Sequence, residues 1–213
     1  MVRMQIGRSG PKRCSLVVST GRAIHLVLAT FLAVGLCAAQ ANPSCAQVTT
    51  DAAPLFELKD HAGRHFTPGM IAGRPYALFF GFTHCPDVCP TTLLAVSNLL
   101  QRLGADADRL SVVFVTVDPE RDSAEVLRQY LAAFDPRIVG LTGSEAQTAA
   151  VARSWNAFHE KIPEAGGTYT VVHSAYIYLM DDRGRLAATM SFQDGEDEQL
   201  AKVRALLGRT GGN

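Results

Sequence analysis

Two uninterrupted apolar runs set the strongest limit on this chain, PYALFFGF at 75–82 and LSVVFVTV at 110–117. Each is too short for a self-burying helix, and neither alternates as a half-exposed strand must. Both read as strands covered on both faces of a sheet. Between them Leu93, Leu94, Val96, Leu99, Leu100 and Leu103 recur at helical spacing over 91–103. A strand, a helix and a second strand of this kind form a right-handed crossover with parallel strands.

The same reading continues downstream. Asp122 or Ser123 caps a helix reaching about Phe134, with Leu127, Tyr130, Leu131 and Phe134 on one face. Residues 138–141 form a short strand, and Ser144 opens a helix reaching about Phe158. Residues 169–172 and 175–180 are extended. A turn at Asp182-Arg183-Gly184 returns the chain over 185–192, and 195–207 is a closing helix. The order β-α-β-α-β-α-β-β-α predicts an α/β fold: a mixed, mainly parallel sheet of four or five strands with helices on both faces.

Composition agrees with a packed domain. Apolar residues are 47% and charged residues 19% of 213. The net charge of zero hides an asymmetry. Arg3, Arg8, Lys12, Arg13 and Arg22 face no acid within 1–41, so the remainder is mildly acidic. That balance argues against nucleic acid as a partner. Five cysteines are too few for a disulfide-stapled scaffold.

Residues 24–39 (IHLVLATFLAVGLCAA) follow the basic stretch and run into Ala39-Gln40-Ala41. This is the pattern of a secretory signal cleaved after Ala41, or of an uncleaved anchor over 23–41. Leu36 before Cys37 does not fit a lipoprotein, and no twin-arginine pair is present. Either way the positive charges stay inside and the body is exported, which places it in a bacterial periplasm. The membrane is met only through this segment. Residues 42–53 read as a tether, carrying an unpaired Cys45, and 54–210 as one domain.

Chemistry concentrates in Thr83-His84-Cys85-Pro86-Asp87-Val88-Cys89-Pro90, where a buried strand gives way to a helix. Open α/β sheets bind ligands at such strand ends, and a helix N-terminus lowers a thiol's pKa. On one helix, residues four apart hold their Cβ atoms about 5–6 Å apart. A disulfide wants roughly 3.5–4.5 Å, whereas a metal with bonds of about 2.3 Å to sulfur spans the wider gap. The spacing leans toward a metal, yet Cys85 in a turn leaves redox chemistry open.

A third ligand must come from elsewhere. His61 and His65 flank Gly63 in a hairpin and read as surface groups; His159 reads as a solvated residue after a helix end. His84 either lowers the Cys85 pKa or stands by. His173, at the start of an internal strand, is either a ligand or a core histidine bonded to backbone. Met180, Met190 and Trp155 read as packing residues.

The segments FGFTHCPDVCPTTL, VTVDPERDSAEVL and YTVVHS followed by YIYLMDDRGRL, in that order, resemble the Sco/SenC family over about 54–208. The resemblance implies a thioredoxin-like fold and copper ligation by Cys85, Cys89 and His173. It also implies delivery of copper, or reduction of thiols, at the dinuclear copper site of cytochrome c oxidase. Two thiolates and an imidazole suit copper, Cu(I) first and Cu(II) as a second state, whereas zinc prefers a fourth ligand. A neutral imidazole is the weakest of the three donors and the first to leave. Partners would be the oxidase copper-site subunit or another cuproprotein, an upstream copper donor and a thiol reductant.

One position departs from the family: Val172 stands where many members carry an acid before the ligand histidine. Asp118 matches a family acid near the copper, either orienting His173 or ending a turn; Asp87 either serves the site or complements the helix dipole. Three functions compete: metallochaperone, envelope thiol-disulfide oxidoreductase with the Cys85/Cys89 pair, and thiol peroxidase. The place before His173 that a thioredoxin gives to cis-proline holds Val172, which weakens the second. No arginine falls within the cysteine motif, which weakens the third. The turn at Gly166-Gly167 lies in a loop over 161–168 ahead of His173.

Overall fold

The structure is a computed structural model and describes residues 56–209. The signal or anchor over 1–41, the tether and Cys45 lie outside the described residues. Those described fall within one compact unit, 47–213. Among them no helix is long and apolar enough to cross a membrane.

The first buried run is β3 (Tyr76–Gly81), reached through a hairpin of β1 (Leu58–Asp60) and β2 (His65–Phe66). Then come α1 (Val88–Leu103), β4 (Ser111–Thr116), α2 (Ala124–Leu131), β5 (Ile138–Thr142) and α3 (Glu145–Ser154). The chain continues through β6 (His159–Pro163), β7 (Tyr169–His173), β8 (Ile177–Met180), β9 (Leu186–Met190) and α4 (Glu196–Arg209).

The main sheet is mixed, in the order β2-β1-β5-β4-β3-β8-β9. Its seven strands exceed the four or five expected, and its parallel share is smaller. Only β5, β4 and β3 are parallel neighbours; every other pairing is antiparallel. The cause is a hairpin added at each edge, since a tight turn can join only antiparallel strands. The two hairpins share one turn. Asp60 Oδ1 accepts from the N–H groups of Ala62 and Arg64, and Asp181 Oδ1 from those of Arg183 and Arg185. Gly63 and Gly184 supply the positive φ, 80° and 73°.

Alternation along the central strands makes two cores. Ala77, Phe79, Val112, Phe114, Ile138, Ile177 and Leu179 pack under α1, α2 and α4. Leu78, Phe80, Val113, Val115 and Leu141 face α3, with Trp155 and Met180. Helices on both faces and the packing roles of Trp155, Met180 and Met190 are therefore as expected.

Helix α3 stops at Ser154, short of the expected Phe158. Asn156 takes φ 50°, Ala157 N–H bonds the Ala152 carbonyl at 2.8 Å and Asn156 N–H that of Arg153 at 3.0 Å. This is a Schellman ending, in which a left-handed residue releases the last carbonyls to the turn. The chain leaves as β6 and pairs with β7 in a separate two-stranded ribbon. His159 is thus on a strand, half-buried opposite His173, rather than solvated behind a helix.

A left-handed conformation costs an ordinary L residue roughly 1–2 kcal/mol, glycine nothing. Asn156→Ala should therefore lower stability by about 1 kcal/mol and Asn156→Gly should change it little, read from urea unfolding midpoints.

Candidate metal centre

The site begins at the carboxyl end of β3. Gly81 leaves no room for a side chain: a Cβ would lie 2.5 Å from the Phe114 ring and 2.9 Å from Cys89 Sγ. Helix α1 begins at Val88, three residues before the helical pattern announces it. Pro90 falls in its first turn, where a missing N–H costs nothing. Cys89 therefore sits in that turn with its N–H free, and donates to Cys85 Sγ at 3.3 Å.

The third group arrives on β7. His173 Nε2 lies 3.3 Å from Cys89 Sγ, and its ring stands edge-on to Phe82 with centroids 5.8 Å apart. The other nitrogen, Nδ1, donates to the Ser174 carbonyl at 3.0 Å, which leaves Nε2 as the ring's free lone pair. The ligand atoms of Cys85, Cys89 and His173 all lie within 4.8 Å of one another. That is about twice a metal–sulfur bond of ~2.3 Å, so a single ion fits among them.

The pair of thiols is electrically asymmetric. Cys85 is half-buried and Cys89 buried, both free. The Cys89 thiol donates to Cys85 and, against the opposing effect of burial, the N–H groups of Cys89 and Asp87 reinforce it. The Cys85 pKa is pulled down to about 3. The bond to Cys85 and burial push Cys89 far above the ordinary thiol range. The pair holds one proton, on Cys89, and one negative charge, on the more exposed sulfur.

Of the two alternatives the sequence leaves for each acid, the structure takes the local one. Asp118 is fully buried, but its carboxylate takes the Arg121 guanidinium on one oxygen and the Tyr169 hydroxyl on the other, at 2.8 Å. Arg121 also donates to the Tyr169 carbonyl at 2.9 Å and lies 3.9 Å above that ring. Asp118 therefore pins the start of β7 and reaches His173 only through the strand. Asp87 is exposed at the start of α1 and accepts from the Thr91 hydroxyl at 3.3 Å; its backbone N–H, not its carboxylate, serves Cys85.

Asp122, read from sequence only as a cap, ties three strand ends together. Its carboxylate accepts from Thr83 N–H at 3.0 Å, Thr83 Oγ1 at 2.6 Å and Thr116 Oγ1 at 2.6 Å. Its carbonyl accepts from Thr142 Oγ1 at 2.8 Å. Thr83, Thr116 and Thr142 stand at the carboxyl ends of β3, β4 and β5. Burial raises the Asp122 pKa, against the pull of these bonds. Ser123 is the cap of α2, accepting from Val126 N–H at 3.3 Å.

His84 is exposed, with only Thr83 Oγ1 at 3.1 Å, and has no contact with either sulfur among those resolved. His61 is not a plain surface group, since its Nδ1 accepts from Gly140 N–H at 2.9 Å. Val172 is 51% exposed, on the ribbon face opposite His173. An acid there would point to solvent, and the Ser174 carbonyl already fixes the imidazole.

A sequence model of the family described as SCO1/SenC matches residues 46–208. A SCO2-like protein of Rickettsia prowazekii is 37% identical over 132 residues, covering 61% of this chain and 64% of its own length. The mitochondrial SCO2 homolog of Homo sapiens is 36% identical over 162 residues, covering 71% of this chain and 61% of its own length. The chain thus spans less than two thirds of these relatives. Among solved structures, copper-bound ScoI of Bradyrhizobium japonicum superposes with TM-score 0.69 at 39% identity, over 73% of this chain and 99% of that one. Yeast Sco1 gives TM-score 0.69 at 31% identity, over 75% and 99%. These likenesses bear out the thioredoxin-like fold.

An ordinary thiol with pKa near 8.5 gains thiolate about tenfold per pH unit below that value. Because Cys85 stays ionised down to about pH 3, its alkylation by iodoacetamide should be nearly constant between pH 5 and 8, while Cys89 stays protected. Peptide mass mapping of the reduced protein reads both rates. A tenfold rise per pH unit at Cys85 would contradict the charge assignment.

Proposed function

The chain belongs to the SCO1/SenC family, and we propose that it carries copper on Cys85, Cys89 and His173 and delivers it to the dinuclear copper site of a cytochrome c oxidase. One observation carries this reading: two sulfurs and one imidazole nitrogen converge within 4.8 Å at the end of a buried strand. The donor set is soft and three-fold, which suits Cu(I) and leaves zinc short of a ligand. Relatives named as SCO2 homologs and copper-bound Sco structures of similar fold support the same cargo.

The geometry suggests how the cargo moves. Cys85 is the more exposed sulfur and already a thiolate, so it meets incoming copper first. Cys89 closes behind it and gives up its proton. In release the neutral imidazole, the weakest donor, leaves first and opens a position for the acceptor's ligand. The reading places the body in the bacterial periplasm behind the 1–41 signal or anchor, with an upstream copper donor supplying it.

A second activity is favoured by the charge asymmetry of the thiols. The Cys85 thiolate attacks a disulfide of the client, and one client sulfur leaves as a thiolate. Cys89, losing its proton, attacks Cys85 of the mixed disulfide. The client ends with both thiols reduced and this chain with a Cys85–Cys89 disulfide, which a thiol reductant must reopen. Both activities need the same reduced pair and can share one protein.

Anaerobic titration of the reduced protein with Cu(I) against a competing chelator tests the carrier. One tight equivalent is expected, abolished by Cys85→Ser and Cys89→Ser. His173→Ala should weaken it by at least the roughly 10- to 100-fold that even an outer partner's loss costs. Binding indifferent to His173→Ala would sink the three-ligand centre. Val172→Asp should change affinity by less than about fivefold, the equivalent of the ~1 kcal/mol an exposed charge contributes.

A further inference from the structure

The ribbon brings a second imidazole beside the three-donor centre. His159 opens β6 directly opposite His173. Ser174 N–H bonds the Phe158 carbonyl at 2.9 Å and Glu164 N–H that of Thr168 at 2.9 Å. Hydrogen-bonded pairs alternate along an antiparallel ladder, so His159 and His173 form a non-hydrogen-bonded pair. Such pairs hold their side chains closest, with Cβ atoms about 4.5–5.5 Å apart.

Opposite residues of an antiparallel pair project from the same face. On this face the neighbouring Val171 is buried against the body, so both imidazoles turn inward, half-buried. As a neutral imidazole, His159 keeps one ring nitrogen with a lone pair. Without metal, His159 stands outside the 4.8 Å group.

Coordination chemistry separates the two copper states. Two thiolates and one imidazole complete a three-coordinate Cu(I) site. Cu(II) favours tetragonal sites with nitrogen donors and lacks one ligand here. We propose that His159 is the fourth ligand of the oxidised centre, joining Cys85, Cys89 and His173 on Cu(II) and staying off Cu(I). The inference rests on the copper reading of those three residues.

The test loads the protein anaerobically with a Cu(II) salt and counts coordinated imidazoles by pulsed EPR. Two are expected in the wild type, which requires no variant to fold; one would overturn the proposal. His159→Ala and His159→Gln, checked for folding by circular dichroism, should leave one. They should also weaken Cu(II) binding by at least roughly 10- to 100-fold, with Cu(I) affinity unchanged. Equal losses for both oxidation states, with the wild-type EPR pattern retained, would mark a structural role and refute the assignment. A sulfur-to-copper charge-transfer band absent from wild type, or unchanged in both Cys85→Ser and Cys89→Ser, would instead remove the three-ligand centre itself.

Discussion

Every residue of β3 is buried, and the location of the reactive sulfurs follows from that. Burying each Phe or Leu of the strand contributes about 1.5–3 kcal/mol, whereas a typical hydrogen bond at the site contributes about 1 kcal/mol. The sheet therefore dictates and the site conforms. Gly81 pairs with Thr116 and lies against both the Phe114 ring and Cys89 Sγ. A slip of one residue would put Phe80 or Phe82 into a space that holds only hydrogen. The register of the core thus places Cys89 before any chemistry is considered.

Asp122 makes that placement rigid. An ionised carboxylate with no exposed surface is costly unless its oxygens are fully used. Three donors use them, and all three belong to threonines at the ends of β3 and β4. Its carbonyl adds the end of β5. The cysteine loop consequently starts from an anchored point. The imidazole is held by other means, through Phe82, the Ser174 carbonyl and the Asp118–Arg121–Tyr169 cluster at the start of β7. Thiols and imidazole belong to separately secured pieces of the fold.

Much of this was legible in the chain. Uniform apolarity marked β3 and β4, leucine spacing marked α1, and donor chemistry with the ordered motifs marked the three candidate ligands. What escaped had little pattern to show. Strands β1 and β2 are three and two residues long, too short for alternation, although Asp60–Arg64 and Asp181–Arg185 share a D-x-x-G-R turn. Strand β6 is largely exposed and reads like a helix tail; Asn156 was the available stop signal. Asp118 and Asp122 are four residues apart, and nothing local says which side chain turns toward the cysteine loop. Both are fully buried, and only their partners in three dimensions tell them apart.

The single proton held between the sulfurs has a thermodynamic consequence. A metal that takes both Cys85 and Cys89 as thiolates must expel the proton from Cys89, because Cys85 has none to give. With one proton released per ion, apparent affinity rises about tenfold for each pH unit while Cys89 remains protonated in the empty protein. Loading acidifies the surroundings by one equivalent, and unloading takes that equivalent back. Under the proposed delivery, an acceptor that loses one proton on metallation would return it, and the transfer would be nearly pH-neutral even though each half is not.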